Sequence, residues 1–333
     1  MTDGTTLGRR QVAKGLALAF AISMLAAPSS AQAQNYPERP VRIIVPFAAG
    51  GGSDIVGRAI AQKLQEKFGQ PFVVENRPGA GGSIGANQVA KAEADGYTLL
   101  LGSSSEIAQY PTVKTGTPYD PIKDFTPIAA VATVPLALTV KQELAPTSVQ
   151  ELIEYAKKNP GKLSYGSAGP GSSTHLAMAL LTSMTGTDMT HVPYKGSAPV
   201  VTDLLAGTLD LSISTLPAVL PHISGGKIKV LAVSTGQRAK ALPNVITIEE
   251  GGVKGYATGL WTGLLAPAGT SPQIVSKLNA AVNEALTAED LKALLAKQGA
   301  EPTGGTPDAF AAEIKNELAL WTDVAKKTGI KID

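Results

Sequence analysis

The sequence predicts an α/β protein of two lobes, each built on a doubly wound sheet flanked by helices. First, β-branched runs alternate with amphipathic helical stretches in two successive sets, and such alternation is typical of parallel sheets with right-handed crossovers. Second, a long apolar segment at 126–140, interrupted by Pro135, separates the two sets. Third, the chain ends in helices with no strand between them, which predicts that it returns to the first lobe.

The first set supplies the sheet of the first lobe. A β-branched run ends in a Gly-rich loop, and apolar residues then recur at helical spacing before two further strands. The predicted strands lie at 41–47, 72–76 and 97–101, and the predicted helices lie at 55–68 and 83–94.

The second set repeats the alternation and supplies the sheet of the second lobe. Predicted helices lie at 148–158, 173–184, 198–206 and 217–223, predicted strands at 163–167, 190–194, 209–213 and 228–234, and terminal helices at 273–288, 288–298 and 307–327. The chain is expected to cross between lobes along 126–140 and to return near 246–258. We therefore predict lobe 1 at 34–131 plus 257–333 and lobe 2 at 132–256, with the terminal helices packed on lobe 1.

The first 33 residues have the layout of a cleavable export signal, which predicts a periplasmic protein. Three basic residues precede an apolar run at 15–27, which is shorter than a membrane span, and a small-x-small cleavage site ends at Ala33. The alternative, a retained membrane anchor, fits this short run and cleavage site less well. Arg9-Arg10 resembles a twin-arginine signal, although Val12 stands where that motif prefers Phe. Export by the Sec or the Tat route therefore stays open.

The composition excludes several classes of function. The whole chain has 29 Lys and Arg against 27 Asp and Glu, a net charge of +2. Arg9, Arg10, Lys14 and Asp3 contribute that +2, so the mature chain is formally neutral and carries no basic footprint for nucleic acid. The absence of Cys excludes disulfides, thiolate zinc sites and cysteine nucleophiles. We expect no cofactor and no metal.

Three small-residue loops mark a candidate ligand site, at 48–54, 102–105 and 168–174. Each follows a predicted strand, and open parallel sheets bind ligands outside the carboxyl ends of their strands. Two of the loops run into helices, whose N-termini offer free N–H groups and about half a positive charge. Two such termini facing each other would bind an anion without Lys or Arg. The alternative interpretation is that the loops are only tight turns and helix caps.

One motif suggests catalysis, but its context does not fit. Residues 81–85 match the Gly-x-Ser-x-Gly nucleophile elbow, with Ser83 at the centre. Six residues separate Ser83 from the preceding predicted strand, so Ser83 fits a helix cap better. The three His show no spacing that marks a triad or a zinc site. We predict no enzymatic activity and keep an exported serine hydrolase as the alternative.

Seven segments in order along the mature chain identify a family resemblance. They include Tyr165-Gly-Ser-Ala-Gly-Pro-Gly-Ser-Ser-Thr-His175 and His191-Val-Pro-Tyr-Lys-Gly196. The full set lies at 36–54, 75–85, 95–99, 119–125, 165–175, 191–196 and 259–269. Together they resemble the substrate-binding proteins of the tripartite tricarboxylate transporter family, also called Bug or TctC-like receptors.

The resemblance implies a periplasmic binding protein of the Venus-flytrap, type II-like fold, with two crossing segments and lobes that close on a solute. The solute is expected to be a small carboxylate: a di- or tricarboxylate, an acidic amino acid or an aromatic acid. Carried over residue by residue, the ligand-binding positions are Phe47, Ala48, Ala49, Gly50, Ser53, Asp54, Ser103, Ser104, Ser105, Ser167, Ala168, Gly169, Ser172, Ser173, Thr174, His175, Tyr194, Lys195, Thr215 and Pro217.

The resemblance also implies partners. These are the membrane permease subunits of the tripartite tricarboxylate system, and the receptor is expected to be a monomer. A receptor that mainly signals, through a sensor kinase, stays an alternative. The stretch 106–114 departs from the commonest family pattern, so the identity of the acid stays open. We interpret Glu106 there as favouring an amine or a hydroxyl on the ligand.

Overall fold

The computed structural model describes residues 35–332, so the predicted signal segment at 1–33 lies outside the described residues. The chain divides into two compact units, Met1–Glu38 and Arg39–Asp333, and the elements below belong to the second. Within the described part of the chain, every helix is too short or too polar to cross a membrane.

Strands and helices alternate along the second unit. The strands are β1 Val41–Val45, β2 Phe72–Asn76, β3 Thr98–Ser103, β4 Phe125–Val134, β5 Leu136–Lys141, β6 Ser164–Ser167, β7 Thr190–Pro193, β8 Leu211–Thr215, β9 Ile228–Val233, β10 Leu260–Pro267 and β11 Glu301–Pro302. The helices are α1 Gly52–Phe68, α2 Ser83–Ala90, α3 Tyr110–Val113, α4 Val149–Lys158, α5 Ser173–Thr185, α6 Ser197–Leu205, α7 Leu216–Ser224, α8 Pro272–Thr287, α9 Glu289–Lys297 and α10 Pro307–Thr328. A 3-10 turn at Ala80–Gly82 precedes α2, and a π-helical turn at Ser105–Gln109 precedes α3.

The strands form two mixed sheets, one in each lobe. The first has the order β11-β4-β10-β3-β1-β2, and the second has the order β7-β6-β8-β5-β9. Strands joined through helices pair in parallel, as β1 does with β2 and β3 and as β6 does with β7 and β8. The predicted α/β architecture is confirmed, and the two sheets are mixed rather than purely parallel.

The antiparallel pairs come from the strands next to the crossings. β10 runs antiparallel to β3 and β4, and β5 runs antiparallel to β8 and β9. These strands reach their sheet directly from the other lobe rather than through a helical crossover, so the connection does not require a parallel neighbour. Only Pro135 separates β4 from β5. The predicted change of lobe at 131/132 falls within β4, and the predicted return at 256/257 falls just before β10.

The terminal helices pack on the first sheet, which confirms that prediction. Phe310 and Ile314 of α10 join the buried cluster of that lobe, where the Phe310 ring meets the Trp261 ring edge-to-face at 5.0 Å. Gly263 of β10 allows this close approach, because a Cβ there would lie 2.2 Å from Phe310 Cζ. Asn279 of α8 donates to the Ile128 carbonyl at 2.7 Å.

Candidate ligand-binding site

A pocket of about 350 Å³ lies where the loops after β1, β3, β6 and β7 approach the C-terminal end of β8. Both lobes contribute to it, and the two crossing segments reach its wall. Its lining residues are Phe47, Gly51, Gly52, Ser53, Ser105, Leu136, Ala168, Ser172, Ser173, Thr174, Ser197, Thr215 and Leu260. None of them carries a charged side chain, so the pocket offers hydroxyls, backbone groups and a few apolar surfaces.

Among the helices that begin at this pocket, α1 comes from the first lobe and α5 from the second. Helix α1 starts after Gly51 without a side-chain cap, and the Gly52 N–H donates to Thr215 Oγ1 at 3.2 Å. Helix α5 starts after Ser172, whose hydroxyl accepts from the His175 N–H at 3.3 Å. First-turn N–H groups have no partner within their own helix, and the helix dipole places partial positive charge there. The two starts therefore favour an anion between them.

Among the residues that the structure describes, the hydroxyl of Ser173 has no hydrogen-bond partner, although Ser173 is 2% exposed and lines the pocket. Buried polar groups in native proteins are nearly always hydrogen-bonded, and each exception needs an explanation. Since Ser173 lies in the first turn of α5, its hydroxyl is available to a ligand atom at the same place as the helix N–H groups.

The lobes meet across the pocket through direct hydrogen bonds. The Ala48 N–H donates to the Lys195 carbonyl at 2.9 Å, and the Ser173 N–H donates to Ser105 Oγ at 3.1 Å. Gly81 comes so close to the second lobe that a Cβ there would lie 2.5 Å from the Pro170 carbonyl oxygen. The structure is therefore a closed arrangement of the two lobes.

Asp54 supports the first loop from behind rather than lining the pocket. Its carboxylate accepts from the Gly50 N–H at 2.9 Å, from Asn76 Nδ2 at 2.9 Å and from Arg58 Nε at 3.1 Å. Burial raises the pKa of this carboxyl, but the hydrogen bonds from Arg58, Gly50 and Asn76 outweigh burial and lower the pKa below its ordinary value. Asn76 also donates to the Phe47 carbonyl at 2.9 Å, so the network fixes both ends of the loop.

Replacing Asp54 by Ala is expected to lower the free energy of unfolding by about 2 kcal/mol, because it removes a buried acceptor that holds three hydrogen bonds between the loop, α1 and β2. The matched control is Asp323→Ala, which removes an i,i+4 ion pair with Lys327 whose side chains are 55% and 74% exposed. That control should change stability by less than about 0.5 kcal/mol. Urea unfolding measures both, and equal losses would contradict a role for Asp54 in holding the loop.

The structure brings eight of the predicted positions into the pocket lining. These are Phe47, Ser53, Ser105, Ala168, Ser172, Ser173, Thr174 and Thr215. The other predicted positions lie outside the lining, namely Ala48, Ala49, Gly50, Asp54, Ser103, Ser104, Ser167, Gly169, His175, Tyr194, Lys195 and Pro217. Sequence reasoning missed five lining residues, which are Gly51, Gly52, Leu136, Ser197 and Leu260. Gly51 and Gly52 belong to the predicted loop 48–54, and Ser197 starts a helix, but nothing local marks Leu136 or Leu260.

His175 supports the second loop. Its ring stacks on His191 with centroids 4.0 Å apart, and His191 stacks on Tyr165 at 5.0 Å. Nδ1 of His175 accepts from the Gly171 N–H at 3.0 Å, which holds the loop in front of α5. Burial, together with the neighbouring His191, lowers the pKa of His175 to about 4, so the ring is neutral at physiological pH.

Tyr194 and Lys195 contribute to the site without placing a side chain in the pocket. The Tyr194 hydroxyl donates to Asp203 Oδ2 at 2.5 Å. Lys195 is exposed, and its carbonyl receives the interlobe hydrogen bond from Ala48. Tyr194 and Lys195 therefore shape the rim of the pocket on the second lobe.

Glu106 does not reach the pocket, which corrects the interpretation that it contacts the ligand. It is fully buried, and its carboxyl oxygens accept from the Ser103 N–H and the Ser103 hydroxyl, both at 2.6 Å. Burial raises the pKa of Glu106 to about 8, although the hydrogen bonds from Ser103 lower it. The π-helical turn that begins at Ser105 directs this side chain back towards the end of β3.

The structure does not place catalytic partners around Ser83. Ser83 is 4% exposed and is the first residue of α2; the N-cap is Gly82 and no side chain caps the helix, so the prediction that Ser83 is the cap is wrong by one residue. The three His of the chain lie in the second lobe, on α5, β7 and α7. Within the described residues, no group of three or more His, Asp or Glu is arranged to hold a metal ion.

Comparison with known proteins gives consistent matches. The profile of TctC, the tripartite tricarboxylate transporter family receptor, matches residues 56–330. Protein BugT of Bordetella pertussis (strain Tohama I) is 40% identical over 314 residues, covering 94% of this chain and 96% of that protein. The solved structure of R. palustris Rpa4515 with adipate is 43% identical with a TM-score of 0.86, covering 89% of this chain and 99% of the other. MatC (Rpa3494) from Rhodopseudomonas palustris with bound malate is 34% identical with a TM-score of 0.84, covering 87% and 99%.

These matches confirm the predicted fold class and family resemblance. The proteins of this family are solute receptors and not enzymes, so the exported-hydrolase alternative is not supported. The match spans both lobes and the two crossings rather than one motif. The chain belongs to the tripartite tricarboxylate transporter receptor family.

Proposed function

We propose that this protein is a periplasmic receptor that captures a small carboxylate between its lobes and delivers it to the membrane permease of a tripartite tricarboxylate system. The convergence of two helix N-termini and the unpartnered Ser173 hydroxyl on a pocket without charged side chains carries the proposal. Such a site balances the negative charge of a carboxylate with N–H dipoles and hydroxyl hydrogen-bond donors. The relatives with bound adipate and malate support this ligand class.

The pocket size and lining narrow the class of acid. The pocket is small, about 350 Å³ even with the space open to solvent included, which suits an acid of a few carbons better than a large aromatic one. Phe47, Leu136 and Leu260 offer apolar surface, whereas the hydroxyls and helix starts line the rest. We therefore favour a short aliphatic di- or hydroxycarboxylate as the ligand.

Binding is proposed to proceed by lobe closure, with lobe 1 at 34–131 plus 257–333 and lobe 2 at 132–256 moving about the crossing strands. The interlobe hydrogen bonds at Ala48, Gly52 and Ser173 exist only when the lobes are together. A ligand that bridges the lobes stabilises this state by its greater affinity for it. Export by the signal at 1–33, through Sec or Tat, and action as a monomer complete the proposal.

Mass spectrometry of the ligand released by denaturing the freshly purified protein tests the ligand class. A panel of carboxylic acids screened by thermal shift provides a second, independent measurement. A released acid, or a clear rise in Tm with one, supports the receptor for carboxylates. A rise in Tm only with uncharged solutes would contradict it. Loss of acid uptake on deleting the neighbouring permease separates transport from a mainly signalling role.

Replacing Ser173 by Ala is expected to weaken binding of the acid about fivefold to tenfold, because the ligand loses one hydrogen bond worth about 1 kcal/mol. Stability without ligand should not change, since the hydroxyl has no protein partner to lose. Ser104→Ala is the matched control: Ser104 is also buried with an unpartnered hydroxyl, but it lies outside the pocket lining. Isothermal titration calorimetry measures both variants, and equal effects would contradict a ligand contact at Ser173.

A further inference from the structure

A second and larger depression, the hinge groove, lies beside the crossing strands. Its volume is about 950 Å³. Helix α10 forms one wall, Leu180 and Met184 of α5 lie on the other side, and the start of β10 lies between them. Pockets for small ligands occupy about 300–1,000 Å³. The hinge groove lies at the upper end of this range and opens widely to solvent, so its shape and lining, and not its volume, identify the occupant.

Helix α10 presents a continuous stripe to this groove. Ala309, Glu313, Glu317, Leu320 and Val324 line it at intervals of three or four residues, which places them on one face of the helix. At 1.5 Å per residue the stripe extends about 22 Å, or four helical turns. Leu320 is 57% exposed and Met184, across the groove, is 41% exposed. Apolar surface on both walls in this arrangement matches the recognition of an amphipathic helix in a groove.

The charged residues that line the groove are all acidic. Glu313 and Glu317 line it, and no Lys or Arg is among its lining residues in the described part of the chain. Glu317 accepts hydrogen bonds from Trp261 Nε1 and from Gln109 Nε2, and burial raises its pKa to about 7. A cation beside it would favour the ionised carboxylate. Thr258 also lines the groove, and its buried hydroxyl has no hydrogen-bond partner among the described residues.

The groove crosses between the lobes and adjoins the ligand pocket. Helix α10 packs on the first sheet, whereas α5 and the segment 235–236 belong to the part of the chain that forms the second sheet and its connections. Leu260, at the start of β10, lines both the groove and the ligand pocket. Rotation of the lobes would change the separation of the groove walls, so an occupant would bind the open and closed states with different affinity.

We propose that the hinge groove is a docking site for a basic amphipathic helix of about four turns on a partner protein, and that docking depends on lobe position. The apolar stripe holds the apolar face of that helix, and the exposed Glu313 pairs with its Lys or Arg side chains. The dependence on lobe position rests on the proposed lobe closure, whereas docking itself does not.

Tryptophan fluorescence tests the docking site directly. Trp261 and Trp321 are the two tryptophans of the chain, and both line the groove. The probe is a capped 15-residue helical peptide with Leu on one face and Lys on the other, titrated into the full protein. We expect a saturable change of emission, and at least tenfold weaker binding of the same peptide with Glu in place of Lys. An absent signal, or equal affinity of the two peptides, would overturn the proposal.

Three surface variants localise the binding. Leu320→Gln and Glu313→Lys should each weaken the Lys peptide at least tenfold, and both positions are exposed, so the fold is expected to persist. Leu294→Gln is the matched control, because Leu294 is 40% exposed on α9 and lies outside the groove. Thermal unfolding verifies that all three variants fold. Equal binding by all three variants would overturn the assignment of the peptide to the groove.

The Gly52→Val variant, which is expected to keep the lobes apart, tests the dependence on lobe position. Its affinity for the Lys peptide should differ at least fivefold from that of the unsubstituted protein, and equal affinity would overturn this part of the proposal. The peptide titration needs no acid. If the peptide binds but no carboxylate binds or stabilises the protein, the docking site is supported and the proposed function is contradicted. If a carboxylate binds but the peptide does not, the proposed function is supported and the docking site is contradicted.

Discussion

Replacing Gly52 by Val is expected to weaken binding of the acid at least 100-fold while each lobe stays folded. Gly52 is the first residue of α1, and a Cβ there would lie 3.0 Å from Thr215 Cβ and 3.2 Å from Thr215 Cγ2. The branched side chain of Val adds two further methyl groups at this contact between the lobes. A loss of 100-fold corresponds to about 2.7 kcal/mol, which is within the usual cost of overpacking a tight contact.

The steric reason can be separated from a backbone or folding effect. Gly52 does not have a positive φ, so a side chain there causes no backbone strain. Gly52→Ala should show a smaller loss, about tenfold, because the clash involves one methyl group. Combining Gly52→Ala with Thr215→Gly removes the facing side chain and should recover part of that loss, as a double-mutant cycle reveals for residues in contact.

Small-angle scattering and calorimetry measure closure and affinity on the same variants. The unsubstituted protein should become more compact with the acid, whereas Gly52→Val should keep its dimensions at every acid concentration. Unchanged affinity in Gly52→Val would mean that the closed contact between α1 and Thr215 is not needed for binding. The proposal of capture by lobe closure would then be contradicted, even if the acid itself is confirmed.

The strands and helices were predictable because each lobe is built from successive strand–turn–helix units whose local sequence patterns are strong. A β-branched run, a Gly-rich turn and an amphipathic helix specify each unit without information from the rest of the chain. Strand direction at the crossings was not predictable in this way. β5 and β10 read as apolar extended segments, and whether they run parallel or antiparallel to their neighbours depends on the path between the lobes.

The site was predictable where it coincides with a helix start and unpredictable where it depends on tertiary contact. Ser172, Ser173 and Thr174 follow a Gly-rich turn and belong to the pocket lining. Leu136 and Leu260 reach the lining because both crossings pass the pocket, and no local pattern distinguishes them from core leucines. The π-helical turn at Ser105–Gln109 contains about one more residue than a turn of α-helix. The order of apolar and polar residues in the sequence does not reveal such a turn.

The buried Glu106 carboxyl is expected to make the stability of the protein depend on pH. It is fully buried, its carboxyl oxygens are hydrogen-bonded by Ser103, and no Lys or Arg within residues 35–332 forms an ion pair with it. The nearby Tyr119 donates to the Glu106 backbone carbonyl at 2.6 Å, and burial raises its pKa as well. A neutral Glu106 is therefore the form that the folded state accommodates.

The raised pKa fixes the direction of the dependence. Between pH 4.5 and about 8 the folded protein keeps a proton that the unfolded chain has already lost, so stability falls as the pH rises through this window. One pKa unit corresponds to about 1.4 kcal/mol, which limits the loss to about 5 kcal/mol by pH 8. Glu317, whose pKa burial raises to about 7, contributes a second loss of the same sign.

Glu106→Gln isolates the contribution of this one carboxyl, because Gln has the same shape and cannot ionise. Its amide oxygen can accept from the Ser103 N–H and its amide NH₂ can donate to the Ser103 hydroxyl, so both hydrogen bonds persist. Urea unfolding from pH 5 to 9 should show the unsubstituted protein losing about 1 kcal/mol per pH unit more than Glu106→Gln. Adding Glu317→Gln should remove a further part of the fall between pH 5 and about 7, whereas His175, whose pKa is lowered to about 4, contributes a rise in stability up to about pH 6.5 in every variant. Parallel curves for the unsubstituted protein and Glu106→Gln would mean that Glu106 is ionised in the folded protein, with a counter-charge or water reaching the end of β3.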